Sequence, residues 1–222
     1  MSAPSSMRPS EASTPLLAVD TGGTFTDLVL LRDGRIETLK VPSTPHDPSQ
    51  AVLDGIARML GEDRDFLLLH GSTVATNALL ERKGARVVLV TNLGFEDVIE
   101  IGRQDRPQLY ALVGHRLPPL VDREARLGIP GRLGPHGEEI EALEESGLAT
   151  LAADIGAYEP ESVAVSLLHA YANPAHEDAV AAALEGVGVP VSISSRLVPE
   201  FREYERTSTT VMNAYVAPIM DR

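Results

Sequence analysis

Cysteine is absent from the 222 residues of the sequence. This absence excludes disulfide bonds, a thiol nucleophile and thiolate metal sites. It is compatible with a reducing compartment, and we predict a cytoplasmic location. A run of about 18 apolar residues, the length that a membrane-spanning helix needs, is also missing. The sequence therefore predicts no membrane partner.

Positive charge is scarce as well. The chain has 19 lysines and arginines against 32 aspartates and glutamates, so its formal net charge is −13. This balance argues against nucleic-acid binding, which depends on basic residues that neutralise phosphates. With 43% hydrophobic and 23% charged residues, the composition is typical of a globular protein with a substantial core.

The order of segments along the chain predicts three regions. Residues 1–15 are rich in serine and proline without an apolar segment, which predicts a disordered leader and no secretory signal. Residues 16–198 are predicted to form one nucleotide-binding domain with an irregular insert at 102–137 that is rich in arginine and proline. Residues 199–222 are predicted to begin a second lobe.

Local patterns within these regions predict alternating strands and helices, which indicates a mixed α/β fold. Asp47 can cap a helix that has Pro48 at its first position, and Pro218 is expected to stop the last helix. The predicted elements are a three-stranded meander over 16–41, helices over 48–60, 74–82, 95–101, 143–155 and 174–184, a helix around 211–216, a buried strand over 66–70, and strands over 86–91, 162–168 and 189–193.

The most informative stretch is the turn from Asp20 to Asp27, between two apolar strands. Gly22 and Gly23 can adopt positive φ and leave backbone N–H groups open to an anion. Thr21, Thr24 and Thr26 add hydroxyl groups. Two acids beside a phosphate site make sense if a cation such as Mg²⁺ binds there too. The turn is therefore predicted to hold a phosphate group together with Mg²⁺.

Four stretches carry a resemblance to a known family. Asp20–Asp27 is similar to the first phosphate motif of the actin, Hsp70 and sugar-kinase ATPases. More narrowly, the chain resembles the N-terminal domain of the hydantoinase A, 5-oxoprolinase and acetone or acetophenone carboxylase family. The three further stretches that support the narrower match are His70–Gly84, Gly94–Pro107 and Glu203–Tyr215.

The resemblance implies a fold, a cofactor and a set of site residues. The fold would be a ribonuclease H-like ATPase lobe, a mixed β-sheet with flanking helices, plus a second small α/β unit. The cofactors would be ATP and Mg²⁺, with Asp20 and Asp27 as catalytic and metal-binding residues. The resemblance also places nine residues at the nucleotide: Thr21, Gly22, Gly23, Thr24, Thr26, Ser72, Thr73, Thr76 and Asn77.

Two readings of the segment from Ser72 to Asn77 remain open from the residues alone. The start of a helix is a natural anion site, because its first N–H groups are free and the helix dipole is positive there. Alternatively, Ser72 or Thr73 only caps the helix and Asn77 lies on its surface. His70, at the end of the preceding strand, can likewise contact a substrate or serve as a structural histidine.

The arginines between Gly102 and Pro135 also admit two interpretations. In an acidic protein they can meet an anionic substrate or a partner chain, or they can be solvated side chains on a long connection. His169 and His176 lack a carboxylate at matching spacing, which argues against a metal site there.

The implied function is part of an ATP-dependent cyclic amide hydrolase or ketone carboxylase that activates a carbonyl or enol oxygen by phosphorylation. The implied partners are a hydantoinase B-like subunit or domain, the remainder of the ATPase lobe, and a cyclic amide or ketone substrate. Two alternatives are a non-catalytic binding or assembly module and a sugar-kinase-like phosphotransferase lobe. Because one lobe lacks half of the cleft, we expect the isolated chain to have little ATPase activity.

Overall fold

The computed structural model describes residues 14–44, 47–104, 110 and 117–220. Most of the predicted leader, 1–13, lies outside the described residues, as do Arg106 and Arg116 of the arginine-rich segment. The chain divides into two compact units, unit 1 over Met1–Asn77 and unit 2 over Ala78–Arg222. Each unit carries a four-stranded sheet with flanking helices, which confirms the predicted mixed α/β fold. None of the described helices is long and apolar enough to cross a membrane.

Unit 1 is built around one sheet with strand order β3-β2-β1-β4. The first three strands form the predicted antiparallel meander, and β4 runs parallel to β1. Its elements are β1 (Leu16–Thr21), β2 (Phe25–Arg32), β3 (Arg35–Pro42), α1 (Pro48–Leu60), β4 (Leu67–Ser72) and the first turn of α2 (Val74–Glu81).

Two local signals fix the geometry of this meander and of α1. Asp33 and Gly34 both adopt positive φ, at 50° and 72°, which is typical of the tight turn that joins two twisted strands. The Asp47 side chain accepts a hydrogen bond from the Ser49 N–H and so caps α1, with Pro48 at its first position. Both features agree with the sequence prediction.

The sheet of unit 1 buries one face. Leu17, Val19, Leu28 and Leu30 are at most 2% exposed and pack with residues of α1, while the alternate positions of β2 face outward. Strand β4 differs from the prediction of a buried strand: Leu67, Leu68 and Leu69 are 42–58% exposed. The core that this sheet forms with α1 contains no residue of β4, so the helix does not cover this edge strand.

Unit 2 has a four-stranded parallel sheet with strand order β10-β9-β5-β6, and the short strands β7 and β8 form a separate hairpin. All six residues of β5 and all four of β9 are buried, as expected for a parallel sheet covered on both faces. Its elements are β5 (Val87–Asn92), α3 (Val98–Ile101), β6 (Arg126–Ile129), β7 (Arg132–Leu133), β8 (Glu139–Glu141), α4 (Glu145–Gly156), β9 (Ser162–Val165), α5 (Ala175–Ala183), β10 (Val191–Ile193), α6 (Ser194–Leu197) and α7 (Glu203–Met220).

The irregular segment predicted at 102–137 contains a strand that the sequence did not indicate. Strand β6 pairs in parallel with β5 although it begins with a buried arginine and contains Gly128. A Cβ at Gly128 would lie 2.0 Å from a Glu96 side-chain oxygen and 2.9 Å from the Leu93 Cα, so only glycine fits. Because a charged residue and a glycine interrupt the alternation of apolar and polar residues, the sequence pattern did not predict this strand.

The last helix, α7, continues through Pro218 to Met220, so the predicted stop at Pro218 is wrong. A proline lacks the N–H that would bond the carbonyl four residues earlier, here that of Ala214. In this structure the Ala214 carbonyl accepts a hydrogen bond from the Ser162 hydroxyl instead, at 2.5 Å. The freed carbonyl therefore has a partner, and α7 packs against β9 in unit 2. The assignment of residues 199–222 to a second lobe stays a prediction.

Candidate functional site

The turn between β1 and β2 places the two predicted catalytic acids side by side. Asp20 and Asp27 are directly opposite each other in the antiparallel register, so their side chains share one face of the sheet. Asp20 is exposed and Asp27 is half-buried. Like charges directly opposite each other on two strands destabilise the pairing. An arrangement of this kind is favourable once a cation binds between or beside the two carboxylates.

The two glycines of the turn leave room for close contacts, and neither uses the positive φ that glycine allows. The Gly22 N–H donates to the Phe25 carbonyl at 3.0 Å, and a Cβ at Gly22 would approach that same oxygen to 3.0 Å. The N–H groups of Gly23 and Thr24 make no hydrogen bond to any described residue. Two free, adjacent donors at an exposed turn are suited to binding an anion.

Thr21 and Thr26 point away from this exposed face and are at most 1% exposed. The Thr21 hydroxyl lies 3.0 Å from His70 Nε2. The Thr26 hydroxyl lies 3.0 Å from that of Ser43, which in turn donates to the Gly22 carbonyl at 2.8 Å. These contacts hold the turn in place from its buried side. Thr21 is also a structural partner for His70, whose role the sequence left open.

The start of α2 lies beside the turn, which brings the second predicted stretch to the first. The Thr73 N–H donates to the Thr21 carbonyl at 3.1 Å, and a Cβ at Gly23 would lie 3.3 Å from Asn77 Nδ2. The Ser72 hydroxyl accepts a hydrogen bond from the N–H of Val74, the first residue of α2, at 3.2 Å. Asn77 donates to the Thr73 hydroxyl at 3.4 Å, and Thr76 is exposed.

Lys40 is a member of this site that the sequence analysis missed. Its Nζ lies 2.7 and 2.6 Å from the two carboxylate oxygens of Asp27, and it also lies 5.1 Å from the centre of the Phe25 ring. The sequence alone could have identified Lys40, because the tight turn at Asp33–Gly34 pairs Arg32 with Arg35 and that register places Lys40 opposite Asp27.

The residues of the turn fit a magnesium ion that arrives with a phosphate ligand. Within the described residues, no group of three or more His, Asp and Glu side chains could hold a metal ion by itself. Magnesium usually binds through one or two carboxylates together with substrate phosphates and water. Asp20 and Asp27 supply two carboxylates, and the free N–H groups of Gly23 and Thr24 lie on the same turn.

The Glu203–Tyr215 stretch, which carried part of the resemblance, has a structural role in unit 2. Arg206 is 1% exposed, and its guanidinium donates to the Leu167 carbonyl at 2.6 Å and to the Ser194 hydroxyl at 3.1 Å. The same hydroxyl donates to the fully buried Glu177 at 2.6 Å. A buried cation and a buried anion thus share a serine and anchor α7 to the strand ends.

The arginine-rich segment is also tied into unit 2 where the structure describes it. Arg126 is 4% exposed, donates to the Val121 carbonyl, and pairs with Asp97 and Glu100. Arg123 pairs with Asp97 as well, at 2.7 Å. Arg132 lies over the Phe95 ring at 4.8 Å. The buried Arg126 is therefore an architectural residue.

The histidines of unit 2 do not form a metal site with any described residue. His176 is buried and its Nε2 lies 2.9 Å from a carboxylate oxygen of Glu139. His169 makes an edge contact with the Tyr171 ring, at 5.9 Å between ring centres. Each histidine therefore has a structural partner.

A cavity of about 880 Å³ in unit 2 is lined by none of the predicted site residues. Its walls include Gly102, Arg103 and Leu117, which flank a stretch of chain outside the described residues. A cavity bordered in this way does not identify a ligand site. The candidate site is therefore assigned from the geometry of the turn between β1 and β2.

Comparisons with known proteins point to one and the same family. The profile of the hydantoinase/oxoprolinase N-terminal region matches residues 16–188. An uncharacterised protein of Methanocaldococcus jannaschii is 39% identical over 92% of this chain, which corresponds to 31% of that protein. The caprolactamase alpha subunit of Pseudomonas jessenii is 36% identical over 93% of this chain and 32% of the subunit.

Solved structures extend the likeness to the fold. The crystal structure of ATP-dependent caprolactamase from Pseudomonas jessenii aligns with a TM-score of 0.80, at 36% identity over 93% of this chain and 32% of that chain. A nucleotide-free acetone carboxylase structure, described as part of the mechanism of ATP-dependent acetone carboxylation, also aligns at 0.80, with 31% identity over 91% of this chain and 32% of that chain. This chain thus spans about a third of the length of these relatives, and it belongs to the hydantoinase/oxoprolinase N-terminal region family.

Proposed function

We propose that this chain is the ATP-binding N-terminal part of an enzyme that hydrolyses a cyclic amide or carboxylates a ketone. The observation that carries the proposal is the turn of unit 1, where two opposed carboxylates lie beside two free backbone N–H groups. Its context supports the proposal, because solved relatives at 31–36% identity are described as ATP-dependent. Asp20, Gly23 and Thr24 are exposed, so the packing of unit 1 does not account for these three residues of the turn.

The proposed roles follow from the contacts. The free N–H groups of Gly23 and Thr24 donate to the phosphate, and Gly22, whose N–H closes the turn by bonding the Phe25 carbonyl, borders the phosphate without a side chain. Asp20 and Asp27 hold Mg²⁺ or position its water ligands. Bound Mg²⁺ would neutralise charge on the phosphoryl group during transfer. The remaining residues support the turn or border it: Thr21 and Thr26 from beneath, and Ser72, Thr73, Thr76 and Asn77 from the start of α2.

Phosphoryl transfer would solve a chemical problem that the two substrate classes share. An amide carbon is a weak electrophile because its nitrogen donates electrons to it, and a ketone is a carbon nucleophile only as its enolate. Transfer of the terminal phosphoryl group of ATP to the amide oxygen would release ADP and make the carbon electrophilic; water would add to that carbon, the C–N bond would break to open the ring, and hydrolysis of the resulting acyl phosphate would release phosphate. Transfer to a ketone enol oxygen would release ADP and hold the enol as its phosphate; loss of that phosphoryl group to water would give the enolate, whose carbon attacks CO₂ to form the carboxylate.

The proposed enzyme contains more polypeptide than this chain. The caprolactamase relative is named as an alpha subunit, and an acetone carboxylase relative from Xanthobacter autotrophicus is named as a beta subunit. We infer a cytoplasmic hetero-oligomer with a hydantoinase B-like subunit or domain and with the remainder of the ATPase lobe. A second lobe would exclude water from the site when it closes over the nucleotide.

One observation favours a second candidate function, a non-catalytic assembly module. The edge strand β4 exposes Leu67, Leu68 and Leu69, and exposed apolar strands at a sheet edge are suited to pairing with other polypeptide. A module of this kind would need no nucleotide, so nucleotide binding separates the two candidates.

The test is to measure ATP hydrolysis and Mg²⁺-ATP binding with this chain, beside a longer chain that includes the polypeptide following it in its gene. The proposal expects weak, magnesium-dependent binding and little turnover for the present chain, and turnover for the longer one. Asp20→Ala should abolish turnover in the longer chain. Absence of magnesium-dependent binding in both chains would overturn the proposal and leave the assembly module as the better candidate.

A further inference from the structure

Lys40 occupies an unusual place in the charge distribution of unit 1. It is one of only two lysines in the whole sequence, the other being Lys83 in unit 2. Its ammonium group contacts both carboxylate oxygens of Asp27, yet its side chain remains 57% exposed and that of Asp27 48% exposed. The pair therefore lies at the surface of the turn, where a bound ligand would reach it.

The pair leaves the other acid of the turn without a cation. Among the described residues, no lysine or arginine forms an ion pair with Asp20. The turn thus carries two carboxylates and one ammonium, and a polyphosphate would add several negative charges. Mg²⁺ compensates part of this charge and can bind the unpaired Asp20, whereas Asp27 becomes available to it only when the Lys40 ammonium moves away.

An exposed ion pair of this kind separates at little cost, because water screens it and both side chains gain freedom. Lysine carries its charge on a flexible four-carbon stem with three donors, so the ammonium can turn to a new acceptor while the strand stays in place. The Phe25 ring, 5.1 Å from Nζ, holds the ammonium beside the turn whichever acceptor it has.

We propose that Lys40 is a phosphate-binding residue that exchanges partners when the nucleotide binds. In the ligand-free protein its ammonium neutralises Asp27. When a magnesium-bound polyphosphate binds at Gly23 and Thr24, the ammonium moves to a phosphate oxygen and releases Asp27 to Mg²⁺ or to its water. This inference rests on the proposed function of the turn and adds to it a residue and a change of ion pairing.

The first experiment observes the two lysines directly. Reductive methylation with ¹³C-formaldehyde keeps their charge and gives separate NMR signals for Lys40 and Lys83, which a Lys40→Met variant assigns. The probe is tripolyphosphate with Mg²⁺, titrated into this chain, and ¹⁵N signals of Gly23 and Thr24 report binding at the turn. Lys83 pairs with Glu81 at 2.7 Å and serves as the internal control.

We expect the Lys40 signal to move and to saturate together with the Gly23 and Thr24 signals, while the Lys83 signal stays in place. If the Gly23 and Thr24 signals move and the Lys40 signal does not, the partner exchange is wrong and the phosphate site stands. If none of these signals moves, the phosphate site itself is wrong and the inference falls with it.

The second experiment separates phosphate binding from a purely structural role of the ion pair. Lys40→Met should weaken tripolyphosphate binding about tenfold, in the range of a lost charge-assisted hydrogen bond. Lys40→Arg keeps the positive charge and should bind tripolyphosphate more tightly than Lys40→Met does, because a guanidinium also donates to phosphate oxygens. Lys83→Met should have no effect. Full affinity in Lys40→Met would overturn the inference.

Discussion

The two four-stranded sheets differ in how many faces they bury. In unit 2 every residue of β5 and β9 is buried, and the polar groups among them are tied to neighbouring elements. In unit 1 the sheet buries only the face covered by α1, and no residue of β4 is buried. The open face ends at the turn that carries Asp20 and Asp27. In unit 2 the buried polar residues hold the fold together, whereas the exposed polar residues at the turn of unit 1 are accessible to a ligand.

This separation applies to motifs that look alike in the sequence. Arg206 in Glu203–Tyr215 and Asp20 in the turn both belong to stretches that carry the family resemblance. The structure gives Arg206 several buried hydrogen-bond acceptors, whereas Asp20 is exposed and has no cationic partner among the described residues. Substitutions in the two groups should therefore affect different properties.

The largest effect is expected from Arg206→Met. The substitution removes a buried cation that pairs with Glu203 and donates to the Leu167 carbonyl and the Ser194 hydroxyl, and removing one partner of a buried pair costs about 3–5 kcal/mol of unfolding free energy. Urea denaturation followed by circular dichroism measures the loss. The control is Arg196→Met, whose exposed pair with Asp178 should contribute about 1 kcal/mol or less. Equal losses for both variants would contradict the architectural role of Arg206.

The next effect compares leucines in the two sheets. Leu89→Ala in β5 removes a side chain that is 1% exposed and should cost about 2–5 kcal/mol. Leu69→Ala in β4, where the side chain is 53% exposed, should change the free energy of unfolding by about 0.5 kcal/mol or less. The same denaturation experiment measures both. A large loss for Leu69→Ala would mean that the face it occupies is covered in solution.

A smaller change in stability, together with a specific loss of ligand binding, is expected for Asp20→Asn. It removes an exposed carboxylate that faces Asp27, so the free energy of unfolding should stay the same or rise slightly. Magnesium-dependent binding of tripolyphosphate should weaken about tenfold, which is 1.4 kcal/mol. NMR titration measures the affinity, and Asp63→Asn, on the loop after α1, is the matched control. Unchanged affinity in Asp20→Asn would remove Asp20 from the site.

The smallest effect concerns the cap of α1 at acid pH. The hydrogen bond from the Ser49 hydroxyl lowers the pKa of Asp47 below its ordinary value of 3.8, and the Ser49 N–H and the Gln50 side chain act in the same direction. A lowered pKa means that Asp47 stabilises the folded state above pH 3.8 and loses this contribution as the pH falls through the folded pKa. Thermal melts at pH 5 and pH 3 should therefore differ less in Asp47→Asn than in the wild type. An equal difference would show that the cap does not depend on the charge.

Local signals in the sequence predicted most of unit 1. The Asp33–Gly34 turn, the Asp47 cap with Pro48, and the alternating strands each follow from short-range chemistry, and the structure has all three. The exposure of β4 was not predictable in this way. Its three leucines predict burial, but they are exposed because α1 does not cover this edge strand.

The failures in unit 2 have a common physical cause, which is that distant residues supply hydrogen-bond partners. Pro218 does not end α7, since the Ser162 hydroxyl bonds the carbonyl that the proline leaves free. Strand β6 begins with Arg126, whose burial depends on Asp97, Glu100 and the Val121 carbonyl. No local pattern contains that information.

The candidate site was predictable in its composition and less so in its contacts. The sequence identified the residues of the turn and of the start of α2, and their assignment to a nucleotide stays a prediction. The residues did not specify how the turn closes, which is through a hydrogen bond from the Gly22 N–H to the Phe25 carbonyl with neither glycine at positive φ. Lys40 could have been found from the hairpin register alone.

The most direct test of the account is a titration of ATP into this chain with and without Mg²⁺, observed through the backbone amides of Gly23 and Thr24. We predict saturable shifts of these two signals that require Mg²⁺, with a weaker affinity for ATP in Asp20→Asn. Shifts that appear elsewhere in the chain, or shifts at Gly23 and Thr24 that are indifferent to both Mg²⁺ and Asp20→Asn, would contradict this prediction.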